Sequence, residues 1–221
     1  MSCWQSSGHR PEKLKSLALG NQDSDDHIRK TLELCGVAFE RKADIATAVA
    51  EELCKGRVVG WFQGRMEAGP RALGQRSILA DPRAIASRDR VNAVIKYREP
   101  WRPFCPSMTA ESAMTYLEEW DDAPFMIVAF RATDRLKKDA PAIVHVDGTV
   151  RVQLVHRDVN PLFYDLLKAF EKSTGVPVLL NTSFNVKGEP IVCTITDALR
   201  TFFATGMDAL AAGSFLIRKT R

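Results

Sequence analysis

Short apolar runs alternate along this chain with segments whose apolar residues recur at helical spacing, and that interleaving restricts the fold more than any other feature. Residues 57–62 and 176–180 read as buried strands, and 149–155, which follows the Asp147 and Gly148 turn pair, as a half-buried one. Two further strands are expected over 125–130 and 209–217. Between them, Ser24 is placed to cap a helix running to about Cys35, with Gly36 as its stop. Asp44 caps a second, whose Ile45, Val49 and Leu53 fall on one face before Gly56. Ser87 is expected to cap a third, carrying Val91, Val94 and Ile95. Helices are also expected over 109–117, from Pro161 through Phe170, and from a Thr196 cap to about Thr205. The span 131–140 reads as a charged surface loop, while 77–80 is too short to assign. Without internal repeats, this order predicts one α/β domain with a mixed sheet over 23–221, preceded by a loose tail over 1–22.

Composition removes several function classes. An apolar share of 45% over 221 residues supports one large core or two small ones. No apolar run approaches the roughly 20 residues that span a bilayer, and the first twenty residues hold no hydrophobic signal core. No membrane association is expected, and the cytoplasm is the expected location. The five cysteines (3, 35, 54, 105 and 193) form no Cys-x-x-Cys pair, so neither a disulfide framework nor a zinc knuckle is indicated. Cys105 and Cys193 read as small buried hydrophobes. The four histidines lack metal-ligand spacing, no two carboxylates stand out as an acid and base, and no nucleophile elbow is present.

Charge collects in one place. Between residues 65 and 102 nine Lys and Arg face four Asp and Glu, a local excess of +5 in a chain whose total is +4. The first cluster lies in a glycine-punctuated loop, Gly64-Arg-Met-Glu-Ala-Gly-Pro-Arg-Ala-Leu-Gly-Gln-Arg76, which has neither Walker A nor dinucleotide-loop spacing. Its Arg71 and Arg76 offer planar forks suited to phosphate or carboxylate. The second cluster is Lys96, Arg98 and Arg102, stiffened by Pro100 and Pro103. Cations so confined repel one another unless an anion neutralises them. Opposite in character is Asn181-Thr-Ser-Phe-Asn185, a neutral hydrogen-bonding cluster just past a predicted strand, where open α/β sheets place ligands. Arg151, alternating with Val150 and Val152, is expected on the polar face of its strand. Such a set suits positioning and electrostatic stabilisation of phosphoryl groups, with a metal brought by the nucleotide.

Five motifs in order carry a resemblance: residues 64–82, 96–104 (KYREPWRPF), 145–151 (HVDGTVR), 160–164 (NPLFY) and 180–191 (LNTSFNVKGEPI). Together they closely resemble the C-terminal domain of the O-carbamoyltransferases, the family of the nodulation-factor, cephamycin and tobramycin carbamoylating enzymes. The resemblance covers nearly all of residues 25–217. It implies a YrdC/Sua5-like fold, an open twisted mixed sheet with flanking helices and a concave basic face. It further implies ATP-dependent conversion of carbamoyl phosphate to carbamoyl-adenylate, with Mg²⁺ brought by the nucleotide. By residue, the resemblance gives Lys96, Arg71 and Arg102 to catalysis, and Arg71, Arg102, Arg151 and Asn181 to carbamoyl phosphate. Lys96, Arg98, Ser183 and Asn185 are given to ATP. One position departs from the family pattern, Ala68 standing where an aromatic is common. Transfer to a hydroxyl would belong to a Kae1-like N-terminal domain on the same or another chain, where iron or another metal is held by histidines. Nothing here resembles that domain, so the chain is expected to be half an enzyme. A homodimer is left open, and nucleic acid is not an expected partner. The alternative reading is a non-catalytic nucleotide- or RNA-binding module using the same basic concavity.

Overall fold

The computed structural model describes residues 14–99 and 102–219; the expected stiffening by Pro100 and the motif position Trp101 lie outside them. Local signals start the first helices as expected. Ser24 accepts a hydrogen bond from the His27 amide at the head of α1 (Asp25–Leu34), and Asp44 accepts one from Thr47 at the head of α2 (Ile45–Cys54). A two-residue strand β1 (Glu40–Arg41) lies between them. The chain continues through β2 (Val59–Phe62), β3 (Arg76–Ala80) and α3 (Ile85–Val91). A π-helical turn (Asn92–Lys96) follows, then β4 (Cys105–Thr109), α4 (Ala113–Tyr116), β5 (Leu117–Glu118), β6 (Ala129–Ala132) and α5 (Asp134–Asp139). Next come β7 (Thr149–Arg151), β8 (Gln153–Val155), α6 (Pro161–Thr174), β9 (Val178–Ser183), α7 (Ile195–Phe203), β10 (Ala209–Ala212) and β11 (Phe215–Arg218).

The strands form a mixed eight-stranded sheet in the order β1-β11-β10-β2-β3-β9-β4-β8, and a small sheet β5-β6-β7. Only β10 with β2 and β4 with β8 run parallel. Alternation along each strand splits the core between two faces. Val59, Trp61, Leu79, Leu179 and Ala209 pack with α2 and α6, whereas Phe62, Ile78, Leu180 and Leu210 pack with α1, α7 and the small sheet. The expected α/β class with a mixed sheet and flanking helices is therefore the observed one.

Several boundaries differ from expectation. The third helix starts after Ala84, without a side-chain cap from Ser87. Residues 105–109, of which only Thr109 belongs to the expected helix, form a buried strand between β9 and β8. The strand expected over 125–130 begins only at Ala129, because Met126 adopts a left-handed backbone (φ 54°). The expected loop 131–140 contains α5, capped by the Thr133 hydroxyl. The run 149–155 divides at Val152 between the two sheets. Thr194, not Thr196, caps α7, in a reciprocal box with Asp197. The last run folds back at Gly213 (φ 52°) into the hairpin β10–β11. Nor are residues 17–21 loose: Ala68 donates its amide to the Leu17 carbonyl at 2.7 Å, Gly20 to Met66 at 2.8 Å and Met66 to Asn21 at 2.8 Å.

Candidate functional site

The glycine-rich loop between β2 and β3 is built on a buried carboxylate and a buried guanidinium. Glu67 accepts at one oxygen from the amides of Leu73 (2.6 Å), Gln75 (2.8 Å) and Arg76 (3.3 Å). Burial raises the Glu67 carboxyl above its ordinary value against the pull of those amides. Arg76 is fully buried over the Phe62 ring, 3.8 Å from its centroid, and donates to the carbonyls of Gln63, Gly64 and Asn21. The free anion-binding fork expected at Arg76 is thus corrected: its donors hold the loop. Gly74 takes φ 93°, and a Cβ there would lie 2.3 Å from the Phe163 ring, so only glycine brings this loop against α6.

The loop covers the C-terminal end of β9 and leaves a cleft of ≈ 120 Å³ between them. Arg71, Arg98 and Arg151 line it with Asn181 and Ser183, and among the described residues no acidic side chain does. Arg71 has no hydrogen-bond or ion-pair partner among the described residues. Arg98 follows the π turn through Tyr97, whose left-handed backbone (φ 45°) redirects the chain. Its guanidinium sits 4.1 Å from the Phe104 ring centroid and donates to the Asn92 side-chain oxygen at 2.6 Å. Burial, with the charge of Arg102 adding to it, lowers Arg98 to about 10. Arg151 is half-buried instead of standing on an open polar face, and donates from Nε and Nη2 to Cys105 Sγ at 3.3 and 3.1 Å. Cys105 is buried as expected but is a polar neighbour within the cleft.

The other expected site residues stand apart from the cleft lining. Lys96 is buried, and its Nζ donates to Asn185 Oδ1 (2.8 Å), the Asn185 carbonyl (2.9 Å), Ser183 Oγ (3.3 Å) and the Ser183 carbonyl. Burial, reinforced by Arg98, pushes this amine down to about 7, while the oxygens around it favour its charged form. Arg102 is exposed, 3.8 Å from Glu99, and does not line the cleft. Ser183 Oγ donates to Asn185 Oδ1 at 2.7 Å, so Lys96, Ser183 and Asn185 form one tied cluster at the cleft edge. Sequence reasoning passed over Ser107 and Gln153, both buried and both bonded into the Asn181 network. The readable signal was a glutamine between the apolar Val152 and Leu154. Among the described residues no three His, Cys, Asp or Glu gather as a metal-binding group.

Comparison with known proteins places these features in a family. The model of the carbamoyltransferase C-terminus matches residues 50–219. Nodulation protein NolO of Bradyrhizobium diazoefficiens is 49% identical over 184 residues, which cover 82% of this chain and 34% of NolO. The 3'-hydroxymethylcephem-O-carbamoyltransferase of Amycolatopsis lactamdurans is 40% identical over 161 residues, 73% of this chain and 30% of that protein. The chain thus spans about a third of the length of these curated relatives. Full-length HypF in its phosphate- and nucleotide-bound crystal form shares the fold, with a TM-score of 0.58 at 20% identity over 78% of this chain and 25% of HypF. Among the described residues no helix is long and apolar enough to cross a membrane. Matched from within α2 to just past β11, this chain belongs to the carbamoyltransferase C-terminus family.

Proposed function

We propose that this chain forms carbamoyl-adenylate from carbamoyl phosphate and ATP, as the C-terminal part of an O-carbamoyltransferase. One observation carries the reading: three arginines converge on a small cleft that no acidic side chain lines among the described residues. Unneutralised cations at close range raise the local concentration of anions and stabilise developing negative charge. Water converts carbamoyl phosphate to carbamate and inorganic phosphate; a carbamate oxygen then attacks the α-phosphate of ATP, and pyrophosphate leaves. Arg71 and Arg151 hold carbamoyl phosphate, with Asn181 at its carbamoyl end. At ≈ 120 Å³ the cleft is well below the roughly 300–1,000 Å³ that encloses a drug-sized ligand. It therefore takes the small anion, and the nucleotide lies along its edge beside Arg98, Arg102 and the tied Lys96–Ser183–Asn185 cluster. Mg²⁺ arrives with ATP, to which it supplies charge neutralisation. A Kae1-like N-terminal domain, with its own metal, receives the activated group, and the cytoplasm supplies both substrates.

The test is stoichiometric. Purified protein given ATP, Mg²⁺ and carbamoyl phosphate should release one phosphate and one pyrophosphate per adenylate formed, and Arg71→Ala should slow both by about a hundredfold. Pyrophosphate release that ignores carbamoyl phosphate, or that survives Arg71→Ala at the normal rate, would sink the reading.

A further inference from the structure

Beneath the loop lies a chain of buried side-chain hydrogen bonds that ends at an unsatisfied acceptor. Cys105, Ser107, Gln153, Asn181 and Ser183 lie on one face of the sheet, because Cys105 opposes Asn181 in the β4–β9 register and Ser107 opposes Gln153 in the β4–β8 register. Ser107, Gln153 and Asn181 are no more than 5% exposed. Gln153 Nε2 donates to the Leu73 carbonyl at 2.8 Å. A carbonyl can only accept, so this contact directs Gln153 Oε1 toward Ser107. The Ser107 hydroxyl donates to that oxygen at 2.7 Å, which leaves its lone pairs for Asn181 Nδ2 at 2.9 Å. The same Nδ2 meets the Ala72 carbonyl at 3.3 Å and Gln153 Oε1 at 3.4 Å.

Each donor in this chain has its direction dictated by the backbone carbonyls of the Ala72–Leu73 segment. A flipped Asn181 would set its oxygen against two acceptor oxygens, Ala72 O and Gln153 Oε1, and a hydroxyl whose proton is committed to Gln153. The carboxamide therefore has one orientation, and its Oδ1 is left buried without a donor among the described residues. A buried acceptor without a partner is costly, and Asn181 is one of the residues lining the cleft.

We infer that Ser107 and Gln153 are positioning residues that fix the Asn181 carboxamide with its oxygen toward the ligand, so that the cleft selects an acyl phosphate bearing N–H over one bearing a methyl group. The inference rests on the carbamoyl phosphate reading above and adds the source of its selectivity. Carbamoyl phosphate and acetyl phosphate differ at that one group, amino against methyl. A site whose acceptor goes unpaired with the wrong ligand discriminates more strongly than a site that merely accommodates shape.

The experiment compares pyrophosphate release with each acyl phosphate in the purified protein. Wild type should prefer carbamoyl phosphate by at least about tenfold in kcat/KM, the effect of leaving one buried acceptor unpaired. Ser107→Ala frees the amide to turn, so the preference should shrink to within about threefold, mainly through a higher KM for carbamoyl phosphate. Ser107→Thr keeps the hydroxyl and should restore it. Gln153→Met, of similar volume, gives an independent break should Ser107→Ala fold poorly. A folded Ser107→Ala or Gln153→Met protein that keeps the wild-type preference would overturn the inference, as would a wild type active with both compounds equally. A wild type that releases no pyrophosphate with carbamoyl phosphate would instead remove the functional reading on which it stands.

Discussion

Two basic hollows lie at opposite ends of the central strands, and they differ in what neutralises their charge. The larger, ≈ 810 Å³, is lined by Lys55, Arg57, Arg90, Arg218 and Lys219, near the start of β2 and β10. Every one of these is engaged. Arg57, Lys55 and Arg218 converge on Glu52, which is 1% exposed; Arg90 meets Asp208 at 2.8 Å, and Lys219 donates to the Thr205 carbonyl. The smaller cleft has three arginines, none with an acidic side chain in ion-pair contact among the described residues. What separates the two hollows is therefore the charge left over after the protein's own pairs are made, not the number of cations or the size of the hollow.

The largest expected effect breaks the paired side of this comparison. Arg57→Ala together with Arg218→Ala leaves the Glu52 carboxylate buried beside Lys55 alone and should cost about 3 kcal/mol of stability in denaturant unfolding. Pyrophosphate release by the folded fraction should not change. Burial alone would raise the Glu52 carboxyl, but the Arg57 hydrogen bond and the Arg218 charge together hold it below its ordinary value. Its stabilisation is thus present above the ordinary glutamate pKa and lost as pH falls through the lowered one. The double variant should lack that acid step.

Removing an unpaired cation should have the opposite profile. Arg71→Ala should lower kcat/KM for carbamoyl phosphate by about a hundredfold, with unfolding free energy within about 0.5 kcal/mol of wild type. A large stability loss in this variant would show that Arg71 is structural after all.

Lys96 sharpens the boundary between the two classes. With its amine pushed down to about 7, the folded chain gives up a proton that the unfolded chain keeps until about 10. Stability should then rise with pH between those values, by up to ~1.4 kcal/mol per pH unit, and Lys96→Met should abolish that slope. A wild type with no such slope would mean that the Ser183 and Asn185 oxygens keep the amine charged.

The smallest effect is expected at Arg90, whose pair with Asp208 is partly exposed. Arg90→Ala should cost between zero and about 1 kcal/mol and leave the activity intact. A tenfold loss of activity would make the larger hollow part of the functional surface.

How legible each element was depended on where its cause lies. α1, α2 and α6 announce themselves because Ser24, Asp44 and Pro161 act within the first turns of the helices they open. α5 had the same kind of signal in Thr133, masked by the charge of the segment it opens. β3 and β4 carry Arg76, Ser77 and Ser107 in their interiors, so no apolar pattern marks them. They are strands because β2 and β9 pair with them. The break at Val152 is likewise a choice between two sheets that no local preference makes.

The candidate site divides in the same way. The local excess of positive charge, the turn-forming glycines and the neutral Asn181–Asn185 cluster are properties of composition and spacing, and the sequence by itself determined them. Which cations remain available was decided only by tertiary structure. Arg71 and Arg76 share one loop, yet Arg76 meets carbonyls from residues 21, 63 and 64 while Arg71 meets none among the described residues. The acceptors that saturate a guanidinium come from segments distant in the chain, and only folding brings them within hydrogen-bonding reach.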